Sequence, residues 1–114
     1  MAHSLPVVSF ESRDLLRSWL EENASTSLGI LVRVFKKQSG VVSVSFEDLL
    51  EEGLCFGWSE SKRLKGDAKS YLQQFTPRRS LGTTSLRNKR LADRLVAEGR
   101  MTPVGLAALG RKSK

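Results

Sequence analysis

Residues 56–77 read FGWSESKRLKGDAKSYLQQFTP, and the fold turns on this stretch. Two runs suited to extended backbone, Phe56 to Leu64 and Lys69 to Phe75, flank Lys65-Gly66-Asp67, a trio suited to a tight turn. The two-residue period of a strand puts Tyr71 and Phe75 on one face. Pro77 has no amide to donate and biases Thr76 toward extended geometry, so the second strand should end there. The stretch predicts a β-hairpin.

Upstream, Leu28 to Lys37 predicts another strand, with Ile30, Val32 and Val34 on one face and Leu31, Arg33 and Phe35 on the other. It is apolar on both sides for most of its length, which suits a central position. Gln38-Ser39-Gly40 reads as a turn and Val41 to Val44 as a returning strand, a further hairpin. Val7 to Phe10 can form a brief strand. Ser12 is placed to cap a helix over Arg13 to Glu22, whose Leu15, Leu16, Trp19 and Leu20 share a stripe. Ser45 caps a second helix, Phe46 to Leu54, with Glu47, Asp48, Glu51 and Glu52 read as a solvated face.

Downstream, Thr84 or Ser85 caps a helix reaching Glu98, with Leu91, Leu95 and Val96 inward and Gly99 closing it. Thr102 followed by Pro103 opens a last short helix that reaches Leu109. Strands and helices mix without regular βαβ alternation. The expected fold is α+β: a small antiparallel sheet of two hairpins packed with about four helices. One domain should fill residues 1–114, with 1–6 and 111–114 as mobile tails. Trp19, Phe35, Phe56, Trp58 and Phe75 are expected to meet in one core.

The charge is divided unevenly. Residues 1–59 carry five Lys/Arg against eight Asp/Glu, and residues 60–114 carry fourteen against four, for a net of +7. A basic second half suits an anionic partner or nucleic acid, and equally a solvated surface. The single cysteine, Cys55, excludes an intrachain disulfide and sits in an apolar run typical of buried thiols. No run of eighteen apolar residues occurs, and the first residues lack a basic and apolar signal pattern, so a cytoplasmic location is expected.

The chemistry is sparse. The only histidine is His3, so no Ser-His or Cys-His pair is nominated, and Cys and His are too few for a zinc site. No phosphate-cradling glycine loop is present. The sequence therefore nominates no catalytic residue, metal or cofactor. Two segments stand out. In Leu54-Cys55-Phe56-Gly57-Trp58-Ser59-Glu60, a glycine between large aromatics suits close backbone approach, and Trp58 is either core or a pocket wall. In Phe75-Thr76-Pro77-Arg78-Arg79-Ser80, two arginines lie ahead of a helix start at Thr84-Ser85, with Asn88 one turn on. Arg78, Arg79, Ser85 and Asn88 are candidates for holding an anion, because free helix amides and planar guanidinium forks both favour one. In the alternative, Thr84, Ser85 and Asn88 only cap the helix and the arginines pair with Glu60 or Asp93.

These segments also carry a resemblance. LCFGW at 54–58, the acid Glu60, YLQQFTPRRS at 71–80, Ser85 with Asn88, and LVAEGRMTPVGLAAL at 95–109 resemble, in this order, the YdeI/OmpD-associated proteins of bacteria. The similarity runs from Trp19-Leu20 to near the C-terminus. Two departures bear on a pocket. Thr84 stands where the family often has tryptophan, and Glu60-Ser61 stands where it often has aspartate-glycine. The resemblance implies a role in envelope stress or cationic-peptide protection and supplies no catalytic residues, and the expected function is a non-enzymatic binding protein. A nucleic-acid-binding module using the basic C-terminal half is the alternative expectation.

Overall fold

The computed structural model describes residues 5–78 and 85–110. The chain opens with β1 (Val7–Val8), α1 (Arg13–Asn23) and β2 (Ile30–Phe35), in which β1 and β2 pair in parallel. Then come α2 (Phe46–Phe56), β3 (Trp58–Leu64), β4 (Ser70–Pro77), α3 (Leu86–Ala97) and α4 (Pro103–Ala108). The four strands form one sheet in the order β1-β2-β4-β3. The class is α+β with four helices, as expected, but the sheet is mixed rather than antiparallel.

The hairpin centred on Gly66 forms, with Trp58 opposite Pro77 and Leu64 opposite Leu72, but Phe56, read as its first extended residue, instead ends α2. A register shift between Glu60 and Lys62 marks a bulge on β3, an edge strand. Bulges and lysines on an edge discourage pairing with another chain. The other expected hairpin does not form. β1 pairs only with Leu31 and Val32, so it does not fill the end of β2 that a returning strand would join. After Phe35 the chain makes a 3-10 turn at Lys37–Ser39 and returns without a ladder. Instead, the Phe35 amide donates to the Ser43 hydroxyl and the Val44 amide to the Phe10 carbonyl. Val44 is buried, whereas Val42 is largely exposed.

Each helix starts where its cap was read. The hydroxyls of Ser12, Ser45, Ser85 and Thr102 accept from the amides of Leu15, Asp48, Asn88 and Gly105, respectively. At Ser45 the Asp48 carboxylate answers by accepting from the Ser45 amide, a reciprocal box. Leu16 and Leu20 of α1 are buried, but Leu15 is half exposed. On α3 the inward residues are Ala92 and Leu95, with Leu91 partly buried and Val96 turned outward. Of the expected mobile segment 1–6, residues 1–4 lie outside the described residues. Pro6 is fixed, its carbonyl accepting from the Leu31 amide. The segment 111–114 also lies outside the described residues.

One core joins α1, α2, the sheet and the later helices. Phe56, Trp58 and Phe75 are buried in it, and Trp19 packs against it partly buried. Phe35 does not belong to this core, because the alternation of β2 turns it, with Leu31 and Arg33, to the opposite face.

The short α4 seats on the C-terminal end of α2. The Cys55 carbonyl, in the last turn of α2, has no helical donor of its own. It accepts from both the amide and the hydroxyl of Thr102. Gly105 lets the backbones meet, since a Cβ there would stand 2.6 Å from the Leu54 carbonyl oxygen. Gly105→Ala should therefore destabilise the protein by about 1–3 kcal/mol, measured by urea unfolding. An unchanged midpoint would show that the two helices do not touch in this way.

Candidate functional site

The residues singled out from sequence do not form one open pocket. Trp58 is only 1% exposed. Its ring lies 5.7 Å from that of Trp19 and 5.1 Å from that of Phe75, and its indole N–H donates to the Ala24 carbonyl. It is a core residue and no pocket wall. Gly57, in the left-handed region at φ 75°, ends α2 and turns the chain directly into β3. Ser85 uses its hydroxyl oxygen as the α3 cap, and Asn88 supplies the amide that the cap binds. Arg79 and Thr84 lie outside the described residues, so their part of the reading has no geometry.

Arg78 is the informative member. Its amide donates to the Gly57 carbonyl, continuing the β3–β4 ladder by one residue. Its Nε is buried without a hydrogen-bond partner among the described residues, and so is Oε2 of Glu60. Glu60 is opposite Phe75 in the sheet register. Burial raises the Glu60 pKa above the ordinary carboxylate value, and the Arg78 charge only partly offsets this. The two groups thus sense one another without forming an ion pair within 4 Å. Most buried polar atoms in proteins find partners, so these two unpartnered atoms single out this corner of the sheet.

The strongest polar cluster lies elsewhere, and it centres on Glu52, which is fully buried. The Arg17 Nη1 donates to Glu52 Oε1 at 2.8 Å, and the Arg100 Nη2 donates to Glu52 Oε2 at 2.7 Å. The Arg17 Nη2 reaches on to the Arg100 carbonyl at 2.7 Å. Beside it, Glu51 accepts from Arg94 and pairs with Arg100 at 3.0 Å. Burial works against the charge of Arg17, but the hydrogen bond and attraction of Glu52 more than offset it, and the Arg17 pKa is raised. The same balance, with Glu51 and Glu98 added, raises that of Arg100.

This network ties α1, α2, α3 and the link to α4 together. Arg13 also approaches both Glu51 and Glu52, and every carboxylate of the cluster is engaged by arginines, which describes a clasp rather than a ligand site. The expected solvated face of α2 is thus only partly so. Glu52 follows Leu49 by three residues and precedes Phe56 by four, on the buried stripe. That spacing was the available signal, overridden by the charge of the residue type.

Cys55 is buried against this clasp. Burial, followed by the Glu52 charge, pushes its thiol pKa up. The thiolate is the reactive form. A thiol reagent at neutral pH should therefore label the folded protein far more slowly than the urea-unfolded chain, read by absorbance. Equal rates would contradict the buried, protonated thiol.

Among the described residues no group of three or more His, Cys, Asp or Glu is arranged to hold a metal ion. No described helix is long and apolar enough to cross a membrane. Residues 8–108, most of the chain, match a family described as Domain of unknown function (DUF8412). No curated protein and no solved structure matches the chain.

Proposed function

The chain belongs to the DUF8412 family, and we propose that it is a binding domain rather than a catalyst, holding an anionic group where β4 leads into α3. The observation that carries this reading is the Arg78 guanidinium, whose Nε is inside the protein without a hydrogen-bond partner among the described residues. It stands shortly before α3 in the chain. The first amides of a helix lack carbonyl partners, and the helix dipole favours negative charge there. Ser85 serves only the Asn88 amide, so among the described residues the amides of Leu86 and Arg87 have no partner and suit a ligand. Arg79 joins the proposal on sequence alone. The ligand class is a phosphate or carboxylate, borne by a small molecule or a protein partner.

The resemblance to YdeI/OmpD-associated proteins supports a place in envelope stress or cationic-peptide protection, in the bacterial cytoplasm. A net charge of +7 repels cationic peptides at long range, so direct sequestration by charge is not part of the proposal. Titrating inorganic phosphate into ¹⁵N-labelled protein tests it. Amide shifts should cluster at residues 85–88 and saturate, and the response should weaken in an Arg78→Ala, Arg79→Ala double variant. Diffuse shifts over all basic residues would return both arginines to an ordinary solvated surface.

A second reading is a nucleic-acid-binding module using the basic second half. Arg87 and Arg90, both exposed on α3, favour it. Binding to short DNA or RNA would then fall steeply with added salt as counterions are released. No binding at low salt would remove it.

A further inference from the structure

Two lysines face each other just beyond the β2–β4 ladder. The last paired residues are Phe35 and Ser70, and the Lys36 amide then donates to the Lys69 carbonyl at 2.8 Å. The pairing thus runs one step further and sets Lys36 opposite Lys69. Like charges placed this way repel. Strand alternation puts both lysines on the side of Val34 and Tyr71, the facing pair two residues further in. With Gln38, Ser39 and Ala68 they line a shallow cleft of about 270 Å³.

No described acid answers these charges. Among the described residues neither lysine has an ion pair, and the Lys36 Nζ only reaches the Ala68 carbonyl at 3.5 Å. Asp67 is committed to its own turn, where Oδ1 accepts from the amides of Lys69 and Ser70 and from the Ser70 hydroxyl. Its Oδ2 is 3.6 Å from Arg33, which alternates with Phe35 to the opposite face. A third cation borders the cleft. Arg63 of β3 is opposite Gln73, but its guanidinium lies over the Tyr71 ring, 3.9 Å from the centroid and one same-face position nearer Lys69. Phe46, at the start of α2, is 5.9 Å from it. On α2, Asp48 is held in the Ser45 capping box, and among the described residues neither Glu47 nor Arg63 has an ion pair. A guanidinium stacked by its flat face keeps its N–H edge for an anion.

We propose that this end of the sheet is a second anion site, which takes a diphosphate group. One phosphoryl group meets the Lys36–Lys69 pair and the Gln38 side-chain amide, which makes no hydrogen bond among the described residues. The other meets the N–H edge of Arg63. Lys69 and Tyr71 are about 7 Å apart along the strand, a span that two linked phosphoryl groups and long side chains can bridge. Orthophosphate meets only part of the set and should not saturate here. Lys69 precedes β4 and Arg78 follows it, so this site and the one at Arg78 lie at opposite ends of one strand. The cleft is close to the lower limit of small-ligand pockets, which suits a small molecule. Tyr71 packs against the core and carries Arg63, so it offers no open face to a base, which disfavours a single-stranded nucleic acid.

The test uses ¹⁵N-labelled full-length protein at one ionic strength, titrated in turn with pyrophosphate, ADP, orthophosphate and oligo-dT. Whatever it does at residues 85–88, pyrophosphate should saturate shifts at residues 36–39, 63 and 68–71, and orthophosphate should not. ADP separates the sources of the group: binding tighter than pyrophosphate assigns a diphosphate ester, and weaker binding assigns the free anion. Arg63 and Lys69 are exposed, so Arg63→Gln and Lys69→Gln should each leave the rest of the spectrum unchanged and weaken pyrophosphate by about tenfold. No saturation by pyrophosphate, saturation only elsewhere, equal saturation by orthophosphate, or an unchanged affinity in either variant would each overturn the proposal. Tighter saturation of the same amides by oligo-dT would overturn it in favour of nucleic acid.

Discussion

Glu52→Ala should cost the fold about 3–5 kcal/mol, the range for removing one partner of a buried ion pair. The loss exceeds that of the carboxylate's own hydrogen bonds. The substitution leaves Arg17 and Arg100 aimed at an empty, fully enclosed position. Both arginines have less than a third of the side chain exposed, so water can only partly take over. Because the clasp joins α1, α2 and the link to α4, the effect should appear in one cooperative urea transition rather than as fraying of one element. Glu47→Ala, at an exposed position on the same helix, should change stability by less than about 0.5 kcal/mol. Similar midpoints for the two variants would mean that Glu52 is not buried with its arginines.

Trp58→Ala should also cost about 3–5 kcal/mol, the usual penalty for emptying a buried aromatic site. The indole makes three contacts: Trp19 on α1, Phe75 on β4, and the Ala24 carbonyl just after α1. Its loss opens a cavity between the first helix and the sheet that neither rigid neighbour can fill. Trp58→Phe keeps much of the packing and loses the indole donor, so it should fall well short of that cost. A loss below about 1 kcal/mol in Trp58→Ala would place the ring outside the core, because such values are ordinary for unremarkable substitutions.

The contrast between these two residues shows what could be read from the chain. Trp58 follows a glycine and begins an alternating run, and both a core and a pocket were consistent with that pattern. Packing chose the core, because Gly57 turns the chain back under α2 and α1. Glu52 sat on an apolar stripe, but residue type outweighed spacing, since an unpaired buried carboxylate is costly. Its partners lie 35 and 48 residues away, beyond the reach of any local pattern.

The caps and the Gly66 hairpin were legible because their chemistry is local: a hydroxyl three residues from an amide, or a turn between two matched runs. The Val41–Val44 strand failed for the opposite reason. Its sequence is compatible with a strand, but the Phe35 amide goes to the Ser43 hydroxyl instead of a backbone carbonyl and the Val44 amide goes to the Phe10 carbonyl, a long-range outcome. Of the candidate anion residues, local logic located the Ser85 cap. It could not foresee that Arg78 and Glu60, near enough to influence each other, would each bury one polar atom without closing an ion pair.

The anion reading rests on Arg78, and melting in inorganic phosphate at fixed ionic strength tests it most directly. A ligand that binds only the native state raises stability as its concentration passes its dissociation constant. The wild-type melting temperature should climb with phosphate when chloride is exchanged for it, and Arg78→Ala should be flat over the same range. An equal climb in both proteins, or no climb in the wild type, would contradict an anion site at this junction.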